Sequence, residues 1–342
     1  MSPTLSVVMP VYNEALHVGA TIDALVAAVD RAGFEAELVV VDDGSTDGTA
    51  RVASEACAGR LPLRVVSQPN RGRLEARRGG LEASTGDFVL LLDGRVTLDP
   101  GGLEFVVARI ARGEEVWNGH VDVAADRNPY GVFWRLLAEL AWRDYFARPR
   151  TTAFDSSNFD RFPKGTTCFL APRGLLLEAT NAFRSRYAEP RFANDDTPLI
   201  RWIAERGPIH ISPRFSCLYV PRTRLQPFIR HSFRRGIVFL DGHGRRESRF
   251  FWAAVGFYPG SVLLALAAIR RPALVPIVAA AVSAGAASLA LKRKRTAYEI
   301  VALATLAPVY AVAHGAGMWR GLGLLLRARS RSGATGPPRR RS

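Results

Sequence analysis

The sequence predicts an α/β domain built on a sheet with parallel strands and flanking helices, followed by C-terminal transmembrane helices. Three observations predict it. Across the first hundred residues short β-rich runs alternate with longer helical patterns, the order of βαβ units. Each of these β-rich runs ends in a polar loop. From Phe250 onward the charges withdraw into clusters between long apolar runs, the pattern of membrane spans.

Taken in order, Leu5 to Met9 reads as a strand, and 15–32 as an amphipathic helix with Leu16, Ala20, Leu25 and Val29 on its apolar side. Residues 36–41 close on four consecutive apolar residues and read as a buried strand. A helix over 48–58, a strand over 63–67, a helix over 72–84 and an apolar strand over 88–92 follow. Residues 116–123 read as a further strand. The 129–147 stretch predicts one helix with Tyr130, Phe133, Leu137, Leu140 and Ala141 on a common face. That face packs on the sheet or, with Trp134 and Trp142 beside it, lies in a membrane interface.

Residues 250–269 hold no charge over twenty positions, 273–291 none over nineteen, and 296–319 only Glu299 over twenty-four. The first two form a hairpin around Arg270-Arg271-Pro272. Arg245, Arg246 and Arg249 precede it and Lys292-Arg293-Lys294-Arg295 follow, so the positive-inside rule puts both outer flanks in the cytoplasm. The third segment contains Pro308, Gly315 and Gly317, and either crosses or re-enters. No basic, apolar and small-residue leader pattern precedes the first strand. The expectation is a multi-pass cell-membrane protein with a cytoplasmic α/β domain over 1–229, a basic linker over 230–249, two or three spans within 250–326, and a disordered Arg-rich tail over 327–342.

The formal charge of +15 is unevenly placed. Residues 1–229 carry 27 Lys and Arg against 28 Asp and Glu, and 230–342 carry 19 against 3. A nucleic-acid partner is therefore excluded as a reading, because the folded half is neutral by count and the basic excess flanks apolar runs. Cys57, Cys168 and Cys217 lack the spacing of a zinc site or a disulfide framework.

Ligands of open α/β sheets bind at the carboxyl ends of the strands. Those ends carry Asn13 and Glu14, Asp42 and Asp43, Asn70, and Asp93. Asp42 and Asp43 leave a buried strand and can accept hydrogen bonds from a base or ribose. Asp47 reads as a helix cap, within the good capping run of Ser45, Thr46 and Asp47.

Pro10-Val11-Tyr12-Asn13-Glu14, then Val41-Asp42-Asp43-Gly44-Ser45-Thr46-Asp47, then Asn70-Arg71-Gly72 with Ala76-Arg77, Gly80, Ala83 and Gly86-Asp87, resemble family 2 glycosyltransferases of the GT-A fold. Arg78 stands where that family usually has asparagine. The resemblance implies a Rossmann-like mixed sheet flanked by helices, and a nucleotide-sugar donor held by Pro10, Tyr12, Asn13, Glu14, Asp42, Asp43, Asn70, Gly72 and Arg77. It also implies a D-x-D whose carboxylates hold Mg²⁺ or Mn²⁺ against the diphosphate. Here Asp93-Gly94-Arg95 keeps the first carboxylate, so Asp93 is the candidate metal ligand. Arg95 cannot ligate a cation, but a guanidinium can fork a phosphate directly.

Asn194-Asp195-Asp196-Thr197-Pro198-Leu199-Ile200-Arg201 resembles the motif whose last carboxylate is the family's general base. This implies Asp196, with Asp195, as the catalytic pair. A helix start with acidic residues and Pro198 in its first turn fits the same residues. Gly165-Thr166-Thr167-Cys168 resembles the acceptor-side strand. The expected function is inverting sugar transfer from a nucleotide donor to a lipid-linked or cell-envelope glycan acceptor at the membrane. Two alternatives stand beside it: a polyprenyl-phosphate sugar synthase, whose acceptor is already ionised and needs no base, and a non-catalytic nucleotide-sugar binder.

Overall fold

The computed structural model describes residues 4–334. Its strands are β1 (Leu5–Val11), β2 (Ala36–Asp42), β3 (Leu63–Ser67), β4 (Phe88–Leu92), β5 (Val96–Leu98), β6 (Trp117–Val123), β7 (Thr152–Phe154), β8 (Cys168–Pro172) and β9 (Ile209–Tyr219). Its helices are α1 (Val18–Ala32), α2 (Thr49–Cys57), α3 (Arg73–Ala83), α4 (Gly102–Ile110), α5 (Pro129–Ala141), α6 (Arg143–Phe146), α7 (Arg173–Ala182), α8 (Thr197–Ala204), α9 (Leu225–His243), α10 (Phe251–Arg270), α11 (Leu274–Lys292) and α12 (Ala297–Ala334). The chain divides into two compact units, Met1–Phe183 with Asp195–Pro221, and Arg184–Asn194 with Arg222–Ser342.

The first unit is a mixed sheet in the order β3-β2-β1-β4-β8-β6-β9-β5, with β7 beside β9. Strands β1 to β4 run parallel, β8 runs antiparallel to β4, and β6 pairs parallel with β9. Side-chain alternation splits these strands between two cores. Leu5, Val7, Met9, Leu38, Val40, Leu90 and Leu92 pack with α1 and α4 residues on one face. Val8, Val39, Val41, Val89 and Leu91 pack with residues of α3, α7 and α8 on the other. Close approach explains Gly80: a Cβ there would overlap Val8 Cγ1 and lie 3.1 Å from Val41 Cγ2.

The expected helix over 129–147 is two helices. Asn128 caps α5, its side chain accepting from the amides of Tyr130 and Gly131, and Trp142 leaves helical geometry at φ −125°, ψ 46°. The buried face is Gly131, Val132, Phe133 and Leu136, rotated from the predicted one. Beyond the break Tyr145 is buried, and its hydroxyl lies 2.9 Å from His120 Nδ1.

The second unit is helical, and three of its helices are long and apolar enough to cross a membrane: Phe251–Arg270, Leu274–Lys292 and Ala297–Ala328. The only buried residues of α10 and α11 are Ala254 and Ala290, so both helices present apolar side chains all round. The structure bears on three expectations here. Most of the 230–249 linker is helix α9, carrying His231, Arg234 and Arg235. The third apolar segment is one continuous helix, not a re-entrant hairpin, despite Pro308, Gly315 and Gly317. Its 38 residues extend about 57 Å at about 1.5 Å each, well beyond a hydrocarbon core of about 30 Å. Residues 327–334 continue that helix where a disordered tail is expected, and 335–342 of the expected tail lie outside the described residues.

Gly317 is a packing residue, since a Cβ on it would overlap Phe233 O of α9 and lie 2.9 Å from Gly236 Cα. Glu299, the one acid of the apolar run, closes a capping box at the start of α12. Thr296 N donates to Glu299 Oε2 (2.9 Å), and Glu299 N to Thr296 Oγ1 (3.3 Å).

Candidate active site

Register brings the strand ends level. Val11 lies opposite Asp42, Asp42 opposite Ser67, and Val8 opposite Leu91. The loops that leave these ends carry Tyr12, Asn13, Glu14, Asp43, Asn70, Gly72, Asp93 and Arg95 to one edge, beyond Pro10 in β1. Because β8 is antiparallel to β4, its start returns to that edge, and Asp93 N donates to Thr167 O at 3.0 Å.

Two loops are clipped together there. Asn13 adopts φ 54°, which asparagine tolerates better than most residues. Its amide donates to Ser45 Oγ (3.0 Å), and its Oδ1 accepts from Thr46 N (2.9 Å). Asp47 accepts from the amides of Thr49 and Ala15, both at 3.1 Å; the N-cap of α2 is Gly48, so Asp47, one residue before it, holds the first helical amide and fastens the neighbouring loop.

Asp42 and Asp43 are both buried. Asp42 Oδ1 accepts from Ser45 N at 2.9 Å. Asp43 Oδ1 accepts from Gln68 Nε2 (2.7 Å) and Arg71 N (2.8 Å), and its Oδ2 from Gly72 N (2.8 Å). Both oxygens of Asp43 therefore organise the turn into α3, an arrangement that differs from direct nucleotide contact. Asn70 stands exposed on that turn, as Tyr12 does on its own loop. A Cβ on Gly44 would lie 3.0 Å from Asn70 N, at φ 80°, so only glycine fits between the loops.

Arg73 and Arg77 share a face of α3, four residues apart. Arg77 is almost fully buried and gathers three carboxylates. Its Nη2 donates to Asp93 Oδ1 (2.7 Å) and Thr166 O (3.2 Å), its Nη1 to Asp195 Oδ2, and Nη1 lies 3.7 Å from Asp196 Oδ1. Arg73, half exposed, reaches Asp195 Oδ1 at 3.5 Å. Two like charges on one helix face are tolerated because three carboxylates surround them.

Asp196 is the N-cap residue immediately before α8, but its side chain makes no capping hydrogen bond. Instead it accepts from Thr166 N (3.2 Å) and from Thr166 Oγ1, and its side chain stays one-third exposed. Burial works to raise its carboxyl, yet Arg73, Arg77 and the Thr166 hydrogen bonds outweigh burial and hold it below the usual range. Burial wins at Asp93, which rises above the usual range despite Arg77 and Arg73.

Arg95 is buried. Its Nε donates to Glu14 Oε1 (2.9 Å), its Nη2 to Glu14 Oε2, and its Nη1 to Val220 O (3.3 Å). A fork onto phosphate would have to displace these contacts, so direct neutralisation of a diphosphate by Arg95 is not the arrangement found.

Among the described residues no group of three or more His, Cys, Asp or Glu side chains is arranged to hold a metal ion. The carboxylates nearest one another are interleaved with Arg77. Asp93 gives one oxygen to Arg77, leaving a single carboxylate oxygen as donor, and Mg²⁺ accepts one or two carboxylates completed by substrate phosphates. The residues present thus fit a cation only at Asp93, held mainly by the diphosphate it would accompany.

Three residues near this edge were absent from the predicted site. Arg73 is signalled by its four-residue spacing from Arg77. Thr166 was read only within the acceptor-side strand, and no local signal joins it to Asp196, 30 residues away. Tyr219 ends β9 among Arg95, Asp93, Glu14 and Arg73, and burial raises its phenol.

Residues 6–173 match the family model described as Glycosyl transferase family 2. The chain carries a family 2 glycosyltransferase domain over those residues. Proteins similar to it include a dodecaprenyl-phosphate galacturonate synthase of Rhizobium johnstonii, 35% identical over 113 residues, which are 32% of this chain and 33% of that protein. An undecaprenyl-phosphate 4-deoxy-4-formamido-L-arabinose transferase of Pseudomonas aeruginosa is 35% identical over 184 residues, covering 53% of this chain and 50% of the relative. The chain thus spans a third to a half of the length of these relatives. Among solved structures, the mannosyltransferase PcManGT from Pyrobaculum calidifontis, in complex with GDP-Man and Mn²⁺, aligns over 93% of this chain and 88% of its own (TM-score 0.53, 18% identity). S. aureus TarS in complex with UDP aligns over 96% and 92% (TM-score 0.51, 16% identity). At these identities the likeness concerns the fold, which is the expected GT-A arrangement.

Proposed function

We propose that this protein transfers a sugar from a nucleotide-diphosphate sugar to a polyprenyl phosphate, a lipid-linked acceptor, at the cytoplasmic face of the membrane. The observation that carries the reading is the gathering of Asp93, Asp195 and Asp196 on Arg77, at the sheet edge that also bears the clipped 10–14 and 42–49 loops. In this reading the loops hold the nucleotide, Tyr12 and Asn70 offer exposed faces to it, and Asp93 stands nearest the diphosphate.

Acceptor chemistry follows from Asp196. A hydroxyl acceptor needs a base poised near the working pH, whereas a carboxyl held below its usual range is a weak one. A phosphate monoester is already ionised near neutrality and needs no base at all. Arg73, half exposed beside Asp195 and Asp196, supplies the positive charge that an incoming phosphate requires. The relatives from Rhizobium and Pseudomonas carry polyprenyl-phosphate names, which supports the same acceptor class. Three apolar helices in the same chain keep the enzyme where such a lipid resides. Basic flanks at 245–249 and 292–295 support a cytoplasmic catalytic unit.

A divalent cation, when bound, would offset charge on the departing nucleoside diphosphate. Asp93 would be its protein ligand. The arginines hold the carboxylates in place, and Asp43 keeps the 70–72 turn closed against the second loop.

The test is a panel of nucleotide sugars assayed with detergent-solubilised protein and polyprenyl phosphate, with Mg²⁺, with Mn²⁺ and with EDTA. A sugar-phosphate lipid product that depends on one donor and is lost in EDTA is the expected result. Donor binding without any product would support the non-catalytic reading.

A further inference from the structure

The family resemblance expects a second carboxylate where Arg95 stands, and the geometry gives that arginine a defined partner. Nε and Nη2 of Arg95 engage the two oxygens of Glu14 as a fork, with side-chain exposures of 7% and 12%. The same residue is tied to Val220, directly after β9, through both its side chain and its backbone: Nη1 donates to Val220 O (3.3 Å), and Val220 N donates to Arg95 O (3.1 Å). Just before it, a Cβ on Gly94 would lie 2.7 Å from Val11 Cγ1, so this turn lies tight against the end of β1.

Glu14 is the corner of the opposite loop. Its amide donates to Thr49 Oγ1 (2.8 Å), and its carbonyl accepts from His17 N and Val18 N, both at 2.9 Å, where α1 begins. Whatever holds Glu14 therefore holds Asn13 and Tyr12, the residues directly before it. Three segments distant in sequence, the β1–α1 loop, the β4–β5 turn and the end of β9, meet through one guanidinium.

We propose that Arg95 is a positioning residue for the donor loop, acting through Glu14, and that it contacts neither the diphosphate nor a metal. The proposal rests on the donor-crevice reading above. A buried fork of this kind fixes geometry as well as charge, and loss of either partner leaves the other buried and unpaired. Its effect falls on the ground-state fit of the nucleotide. The turnover of bound donor is left nearly unchanged.

The test is a double-mutant cycle on the full chain in detergent. The variants are Arg95→Ala, Glu14→Gln, their combination, and Arg95→Lys, with UDP and GDP as binding probes and donor KM and kcat measured separately. Arg95→Ala and Glu14→Gln should each weaken nucleoside diphosphate binding and raise donor KM by a similar factor, on the order of 10-fold, with the double variant no worse than either single one. Values of kcat should stay within a few-fold of the parent, and Arg95→Lys should recover part of the binding. Additive losses would overturn the proposal. So would a kcat loss on the order of 10²-fold in Arg95→Ala with Glu14→Gln unaffected, the signature of a direct transition-state contact. Should Arg95→Ala not fold, Glu14→Gln and Arg95→Lys carry the comparison, since both keep the shape of the site. If the parent protein binds neither UDP nor GDP, the donor-crevice reading fails and the proposal with it. If the parent binds and the variants match it, only the proposal fails.

Discussion

Two Asp-Asp pairs sit at the same edge of the sheet and are used in different ways. Asp42 and Asp43 turn inward onto the loops that bear them: their partners are Ser45 N, Arg71 N, Gly72 N and the Gln68 amide. Asp195 and Asp196 meet arginine side chains instead, Arg73 and Arg77, with the amide and hydroxyl of Thr166 on the other side of Asp196. The first pair spends its acceptor capacity on loop shape, and the second is balanced by charges that leave Asp196 partly exposed. Equal residue type and equal placement at strand ends thus do not give equal chemistry. The nature of the donors decides it, since backbone amides fix a loop whereas arginine side chains balance a charge that a substrate can share.

Arg77→Ala should produce the largest effect, because it strands Asp93 and Asp195 in the interior. Breaking a buried charge cluster costs about 3–5 kcal/mol, and a denaturant midpoint lowered to match is the expected result. A small change would mean that Arg73 alone balances the second pair. Asp43→Ala should come next, at about 1–3 kcal/mol, because three donors lose their acceptor, and nucleotide affinity should fall as the 70–72 turn opens. Asp42→Asn is the control within the first pair: its Oδ1 still accepts from Ser45 N, so stability should move by less than about 0.5 kcal/mol. Equal destabilisation by both variants would erase the distinction between these two aspartates.

The smallest effect is a pH dependence. Asp196 has a folded pKa below its unfolded value, so the stability it adds is complete above about pH 4 and is lost as the pH falls through the lower folded value. Melting temperatures of the parent and Asp196→Asn should therefore run parallel from pH 7 to pH 5 and converge only in stronger acid. Convergence near pH 6 would show that Arg73, Arg77 and Thr166 do not hold its proton off.

How much of this was legible in the sequence follows from the range of each contact. Strands Leu63–Ser67 and Phe88–Leu92 match their predicted bounds because apolar runs ending in polar loops are local signals. Placing Asp42, Asp43, Asn70 and Asp93 at one edge required only the rule for strand ends. The role of Arg77 depends on Asp195, 118 residues away, and that of Arg95 on Glu14, 81 residues away, and no periodicity records such pairs. Asp43 was legible as a strand-end carboxylate, but its orientation is set by a turn that forms only when β3 and α3 pack. The glycines of α12 read as helix breakers, whereas in the fold Gly317 allows a close approach to Gly236.

The central claim is that the acceptor is an ionised phosphate and that Asp196 is not its base. The most direct measurement is the rate of sugar transfer to polyprenyl phosphate by Asp196→Asn, with nucleotide affinity measured on the same preparation. Transfer within about tenfold of the parent is the predicted result. A loss on the order of 10²- to 10⁴-fold with nucleotide affinity intact, the usual worth of a general base, would contradict it and point to a hydroxyl acceptor.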